Sequence, residues 1–416
     1  MFKNLISFCF LFVVINTAAQ TKLLSKQELH FLNKNVKVIA SDSLLSCDWK
    51  VLDQDVKNKN IFLLGELNHG SREMFLLHNS LIQYLYETKG IKAVLFESGI
   101  GELAFADLNS GQLEPDQMIN GFFGVWRSEE FVDLMKYLQS KKIAVAGFDV
   151  QRTSSSFSLL LNKVAQKFGS DSSKATNLEI RFGLISRELG NSKVKYDSIK
   201  INTENLINDY VTLKNFFIKK NDKGYSKELL LTIRTLENRV TFLQYMLDFT
   251  RDKDWNKRWA ARDAAMADNV KWLLENIYKN EPVVILGHNY HIAKGNEQEN
   301  VMGKLLADSY SDRMYALGFF AGEGSYYNNS GKITALNSPD SSALDIKHII
   351  QETSGFVSYL KFPLTRKKKY EWLFNQITVN DTFINLNNGN KMTLSGLFDG
   401  IVMVKRSSPS NNYLFK

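Results

Sequence analysis

Five short apolar runs rich in β-branched and aromatic residues, at 61–67, 93–97, 143–148, 283–287 and 315–320, constrain the fold of this chain most strongly. Each has the length and composition of a buried strand. After the first run, Phe75, Leu76, Leu77, Leu81, Ile82 and Leu85 recur at helical spacing, and Phe131, Leu134, Met135 and Leu138 do so before the third. Strand and helix in alternation specify βα units. The sequence therefore predicts an α/β fold, a mostly parallel central sheet flanked by helices, with a last strand at 397–404.

Between about 154 and 279 the strand signals stop. Long charged amphipathic stretches replace them, including 206–219 and 227–249, and 255–277 carries Trp259, Met266, Val270 and Leu273 in its apolar pattern. This reads as a helical insertion in one α/β domain spanning 20–416, serving either as scaffold or as a cap over the sheet's ligand-binding edge. At 416 residues, 44% hydrophobic and 23% charged, the chain is long enough to bury a large core.

Residues 1–19 hold one charge, Lys3, then the apolar stretch 5–15 and the small-residue site Thr17-Ala18-Ala19. The pattern predicts a signal peptide cleaved before Gln20 and an exported protein, periplasmic or secreted, with no membrane anchor after cleavage. The run is too short to span a bilayer. Cys9 lies within it, which leaves Cys47 alone among Leu44, Leu45 and Trp49, a buried thiol rather than a nucleophile. The formal charge of +8 is modest, and its densest knot, Arg366-Lys367-Lys368-Lys369, reads as a solvated face. Nucleic acid is not an expected partner, and nothing in the pattern specifies an oligomer.

In an open α/β sheet, ligands bind beyond the carboxyl ends of the strands. Four of the expected strands end in ionisable residues. The first delivers Glu66 and His69, the second Glu97, the third Asp149, and the fourth His288 and His291. One such residue is ordinarily a cap or a surface group, but the topology gathers four strand ends into one crevice. Histidine with carboxylates suits two chemistries. The imidazole can take a proton from water attacking an acyl carbon, or the same side chains can hold a metal ion that makes the hydroxide itself. The sequence lacks HExxH, Cys-based zinc spacing, G-x-S-x-G, Walker A and dinucleotide fingerprints. No cofactor is implied, and general-base hydrolysis without a serine nucleophile leads. Arg258 and Arg262, about one helical turn apart, read either as ordinary exposed positives or, near the crevice, as groups that orient a glutamate or stabilise an oxyanion.

The chain carries GELNHGSRE (65–73), then VLFESG (94–99), VWRSEEFVDLMKYL (125–138) and VAGFDVQ (145–151). RDAAMADNVKWL (262–273), VVILGHNYHIAKG (283–295) and FDGIVMVKR (398–406) follow. The resemblance of these blocks, in this order, is to the erythromycin esterase family, whose first block reads roughly GE-x-x-HG-x-x-E. It implies an α/β fold with helical additions and a deep cleft, and a small-molecule ester or lactone hydrolysed without a required metal or a covalent intermediate. By position, His69 would be the general base, with Glu66, Glu97 and His288 in the catalytic set. Arg72, Glu73, Trp126, Arg262 and His291 would be substrate contacts. Asn68 stands where the family commonly has Thr, and export departs from the cytoplasmic antibiotic-inactivating members. Two other readings remain at this level: a metal-dependent hydrolase or protease of related fold, and a non-catalytic binding protein in polysaccharide handling.

Overall fold

The computed structural model describes residues 23–221, 224–295, 299–379 and 390–415. The expected signal peptide, 1–19, lies outside the described residues. In chain order the strands are β1 (Lys37–Val38), β2 (Ile61–Glu66), β3 (Ala93–Gly99), β4 (Ala144–Asp149), β5 (Val283–His288) and β6 (Met314–Tyr327). Then come β7 (Ile333–Ala335), β8 (Val357–Lys361), β9 (Ile377–Thr378), β10 (Lys391–Met392) and β11 (Gly400–Ser407).

Among the described residues the main sheet runs β1-β8-β11-β6-β2-β5-β3-β4, with β7 paired to the end of β6 and β9 with β10 as a separate ribbon. From β11 to β4 every pairing is parallel. β8 and β1 add an antiparallel edge beside β11. The chain is thus α/β with a mostly parallel sheet, as the alternating pattern predicts. All six residues of β2 and all seven of β3 are buried, which is why these strands read as unbroken apolar runs rather than alternating ones.

The helices flanking the strand ends are α1 (Arg72–Lys89) after β2, α2 (Ile100–Leu108) after β3 and α3 (Glu129–Lys141) before β4. Gly90 stops α1 in the left-handed conformation, φ 62°, its N–H bonded to the Tyr86 carbonyl. Ser128 starts α3 by accepting a hydrogen bond from the Phe131 N–H.

Between β4 and β5 come α4 (Phe157–Lys167), α5 (Ser172–Leu189), α6 (Tyr196–Lys220), α7 (Lys227–Asp252) and α8 (Trp255–Trp272), the last closing in a π turn over Leu273–Ile277. Buried Arg239 on α7 ties this block to α2, the helix that follows β3. It pairs with Glu102 of α2 at 2.6 Å and Glu179 of α5 at 3.1 Å. After β5 follow the single turn α9 (Asn289–Ile292) and α10 (Met302–Tyr310). No helix among the described residues is long and apolar enough to cross a membrane.

Two boundaries differ from the sequence expectation. The run 315–320 extends to Tyr327, because polar Glu323 and Ser325 continue the ladder to β11 and β7 where the strand leaves the core. The last strand begins at Gly400 rather than 397, since Leu394–Leu397 form a helical turn packed on the core. β8 went unread: its Val-Ser-Tyr-Leu-Lys sequence has a polar alternate, and antiparallel pairing with β11 is what recruits it.

Candidate active site

The carboxyl ends of β2 and β5 are level, with Gly65 opposite Gly287 and Glu66 opposite His288. β3 lies on the other side of β5, so Glu97 arrives next to His288 and its Oε2 accepts the His288 backbone N–H at 2.9 Å. These ends open into a cleft of about 790 Å³. Its floor includes His69, Glu97, Arg262, His288 and His291. Aromatic side chains from several elements form the walls, among them Trp126, Trp259 and Tyr327.

His69 Nδ1 lies 2.6 Å from Glu66 Oε1, and the same oxygen accepts the Trp126 indole N–H at 3.1 Å. Glu66 is fully buried beneath the histidine. A carboxylate at Nδ1 fixes the proton there, which leaves Nε2 as the free lone pair. That nitrogen has no hydrogen-bond partner among the described residues, and the ring is one-fifth exposed to the cleft. Burial pulls the His69 pKa down, but Glu66 and then Glu97 outweigh it and hold the pKa above the ordinary 6.5.

The second group is centred on Glu97. Its Oε1 accepts Arg262 Nη2 at 2.9 Å and lies 3.3 Å from His291 Nε2. Burial alone would raise this carboxyl; His291, His69 and Arg262 hold it well below the usual range, so it is ionised. Arg262 also contacts Asp149, through Nη2 at 2.5 Å and Nε at 3.3 Å. His291 Nδ1 sits 2.8 Å from Asp263 Oδ1. Against burial, Asp263 and then Glu97 push the His291 pKa up to about 9. A guanidinium and an imidazolium thus share a floor of buried carboxylates.

His288 behaves differently from the other two histidines. Its Nε2–H donates to the Leu67 carbonyl at 2.8 Å and its Nδ1 accepts the Tyr290 N–H at 3.2 Å. Both nitrogens are occupied by backbone. Burial first, then the His69 charge, pushes its pKa down to about 3. His288 lies in the cleft as a neutral wall beside His69, ring centroids 5.3 Å apart, and has no nitrogen free to move a proton.

Arg72 and Glu73, counted above as substrate contacts, are not brought to the cleft. Arg72 is turned outward to Glu130 at 3.3 Å, and Glu73 accepts the backbone and side chain of Ser408 at 2.6 and 2.7 Å. The cause is helical phase: α1 starts at Arg72 and turns the Arg72 side chain toward Glu130 of α3 and the Glu73 side chain toward the segment beyond β11. Arg258 likewise stacks on Phe249 and Trp255, away from the cleft lining. Cys47 is half-buried against the core, its thiol pushed up by burial, the reverse of activation.

The sequence reading missed Asp263, Trp259 and the 326–330 turn. Asp263 was legible as the neighbour of Arg262 in the RDAAM block. The turn, with Tyr326 and Tyr327, has no motif, and only the extension of β6 brings it over the cleft. The helical block supplies Trp259 to the cleft wall and Arg262 to its floor, and residues 326–330 and Phe415 also line it. Among the described residues no three His, Cys, Asp or Glu side chains converge as a metal-ligating group.

Known proteins share the family and the fold of this chain. The erythromycin esterase family matches residues 86–407, starting in the last turn of α1, so Glu66 and His69 precede the matched region. The Bacillus subtilis (strain 168) protein named "Putative hydrolase YbfO" is 25% identical over 97% of this chain and 96% of its own length. Erythromycin esterase type II of Escherichia coli is 25% identical over 67% of this chain and 72% of its own length. Among solved structures, an erythromycin esterase mutant in its open conformation superposes with a TM-score of 0.62 at 16% identity, over 92% of this chain and 99% of that one, a likeness of fold. The chain belongs to the erythromycin esterase family of hydrolases.

Proposed function

We propose that this protein hydrolyses a carboxylic ester or lactone, with His69 as general base and water as the nucleophile. The observation that carries the reading is the Glu66–His69 pair, 2.6 Å apart, whose other imidazole nitrogen is open to the cleft. Water's oxygen attacks the carbonyl carbon while Nε2 takes its proton. When the tetrahedral intermediate collapses, the C–O bond to the leaving alkoxide breaks and that oxygen takes the proton back from Nε2. Acid and alcohol result, and no bond to the protein forms. Glu66 stabilises the imidazolium, and the positive charge of Arg262 and His291 lies where the carbonyl oxygen becomes negative. Catalysis is thereby assigned to Glu66, His69 and Glu97, and binding to Arg262, His291 and Trp126. The aromatic walls suit an apolar or ring-bearing substrate over a small polar one. The apolar stretch at 5–15 supports export of the enzyme, which intact-mass measurement on exported protein tests directly: Gln20 at the amino end is the expected result.

Purified protein assayed on an ester and lactone panel, with and without chelator, tests the chemistry. His69→Ala is expected to cost about 10²–10⁴-fold in rate, the usual loss of a general base, with circular dichroism unchanged. Chelator is expected to change little. Activity that vanishes with chelator and returns with a divalent ion would replace this reading by a metal-dependent one, and a His69→Ala enzyme at full rate would reject both.

A further inference from the structure

Arg72, Glu73 and Glu130 hold the segment 408–415, which follows β11. The Arg72 N–H donates to the Ser408 carbonyl at 2.9 Å, and Glu73 caps Ser408. The Asn411 N–H meets Glu130 at 3.2 Å. The segment then runs under the turn Gly124–Trp126. Asn412, 2% exposed, donates its Nδ2 to the carbonyls of Gly124 at 2.8 Å and Val125 at 3.1 Å. The Tyr413 N–H donates to the Arg127 carbonyl at 2.9 Å. Phe415 ends in the cleft wall against Tyr327, ring centroids 5.4 Å apart.

A three-residue 3₁₀ turn has little stability of its own: the Gly124 carbonyl accepts the Arg127 N–H at 3.2 Å, and no backbone N–H among the described residues reaches the Val125 carbonyl. Its orientation is set by whatever bonds those carbonyls, and this turn carries the indole that touches Glu66. We propose that Asn412 is a positioning residue: by holding the Gly124 and Val125 carbonyls it sets the Trp126 N–H against Glu66 and, through Glu66, orients His69. The inference rests on the reading of His69 as the base. It also explains why Glu73 and Glu130 are buried carboxylates outside the cleft: they anchor the segment that carries Asn412. A competing arrangement is packing alone, since Trp126 stacks on Phe131 at 5.5 Å, meets Phe96 edge-on and lies tilted against Phe122.

The test reads His69 itself, by NMR titration of its ring, in wild type, Trp126→Phe, Asn412→Leu and Asn412→Ala, with ester turnover measured in parallel. The titratable groups facing His69 are Glu66, Glu97, His288 and His291, and none of these substitutions alters a charge. The indole N–H offsets part of the Glu66 charge, so its loss is expected to move the His69 midpoint further above 6.5 in Trp126→Phe and in both Asn412 variants. In parallel, kcat is expected to drop on the order of tenfold to a hundredfold, the cost of sub-ångström to ångström misplacement. Melting curves establish that each variant is folded, and Asn412→Ala serves if the larger leucine is not accommodated. Wild-type midpoint and kcat in a folded Asn412 variant would overturn the proposal, as would an unaffected Trp126→Phe. Shifted midpoints in a protein that hydrolyses no ester would uphold the positioning and reject the esterase reading.

Discussion

Three histidines within one cleft have three different sets of hydrogen-bond partners, and the neighbours of each ring set the direction in which its pKa moves. His69 has a carboxylate on one nitrogen and space on the other; His291 has carboxylates toward both; His288 has a backbone group on each. The consequence for rate has a definite sign. A general base works only when neutral, and the His69 pKa is raised. Activity is therefore expected to rise with pH along a limb whose midpoint lies above the ordinary 6.5. A kcat/KM profile on any hydrolysed ester checks this, and a midpoint below 6.5 would mean that another group is titrating. Residue identity alone could not assign these roles. His69, His288 and His291 look equivalent as strand-end histidines, and only the hydrogen-bond partners separate a base from a wall.

At the scale of elements, the glycine that precedes Glu66 has a specific task. Asn289, in the turn after β5, reaches across β2 and bonds β6, donating Nδ2 to the Phe319 carbonyl at 2.8 Å and accepting the Phe319 N–H at 3.1 Å. It can cross only because Gly65 has no side chain: a Cβ there would lie 1.9 Å from Asn289 Oδ1 and 3.2 Å from the Leu317 carbonyl. Three neighbouring strands are thus stapled at the edge that bears the site. Gly65→Ala is expected to destabilise the protein by about 1–3 kcal/mol, the usual result of forcing a methyl into a packed site. Pairing it with Asn289→Ala should recover part of that loss in a double-mutant cycle of chemical denaturation; strictly additive effects would show that the two do not meet. Glycine in the GE block and asparagine between the two histidines were visible in the sequence, but their contact across an intervening strand was not.

For the whole molecule, the buried histidines predict a stability maximum near neutrality. His78, whose Nε2 lies 2.8 Å from the Gly65 carbonyl, is held by burial at about 4, and His288 at about 3. Below 6.5 the unfolded chain binds protons that these folded residues refuse, so stability falls as pH drops from 6.5 toward those values. His291 acts in the opposite sense. Its folded pKa of about 9 gives stability fully present below 6.5 and lost as pH rises through 9, and His69 adds in the same direction. Thermal melts across this range are expected to peak near 6.5. The alkaline decline should shrink in His291→Gln; an unchanged decline would mean that His291 is not held protonated in the folded state.

Much of this architecture is local, and so legible. Strands buried on both faces read as unbroken apolar runs, helices as 3.6-residue stripes, and βα alternation leads to a parallel sheet whose carboxyl edge collects Glu66, His69, Glu97, Asp149, His288 and His291. Strand order, register and helical phase are not local. They turn Arg72 and Glu73 away from the cleft, recruit β8 and the long end of β6, bring Asp263 to His291, and run 408–415 beneath the Trp126 turn. The sequence by itself determined which chemical groups meet at one edge, because side-chain periodicity depends on near neighbours. Only the tertiary structure decided which of them can move a proton, because protonation and access depend on burial and on partners more than a hundred residues away, such as Arg262 against Glu97 and Asp149.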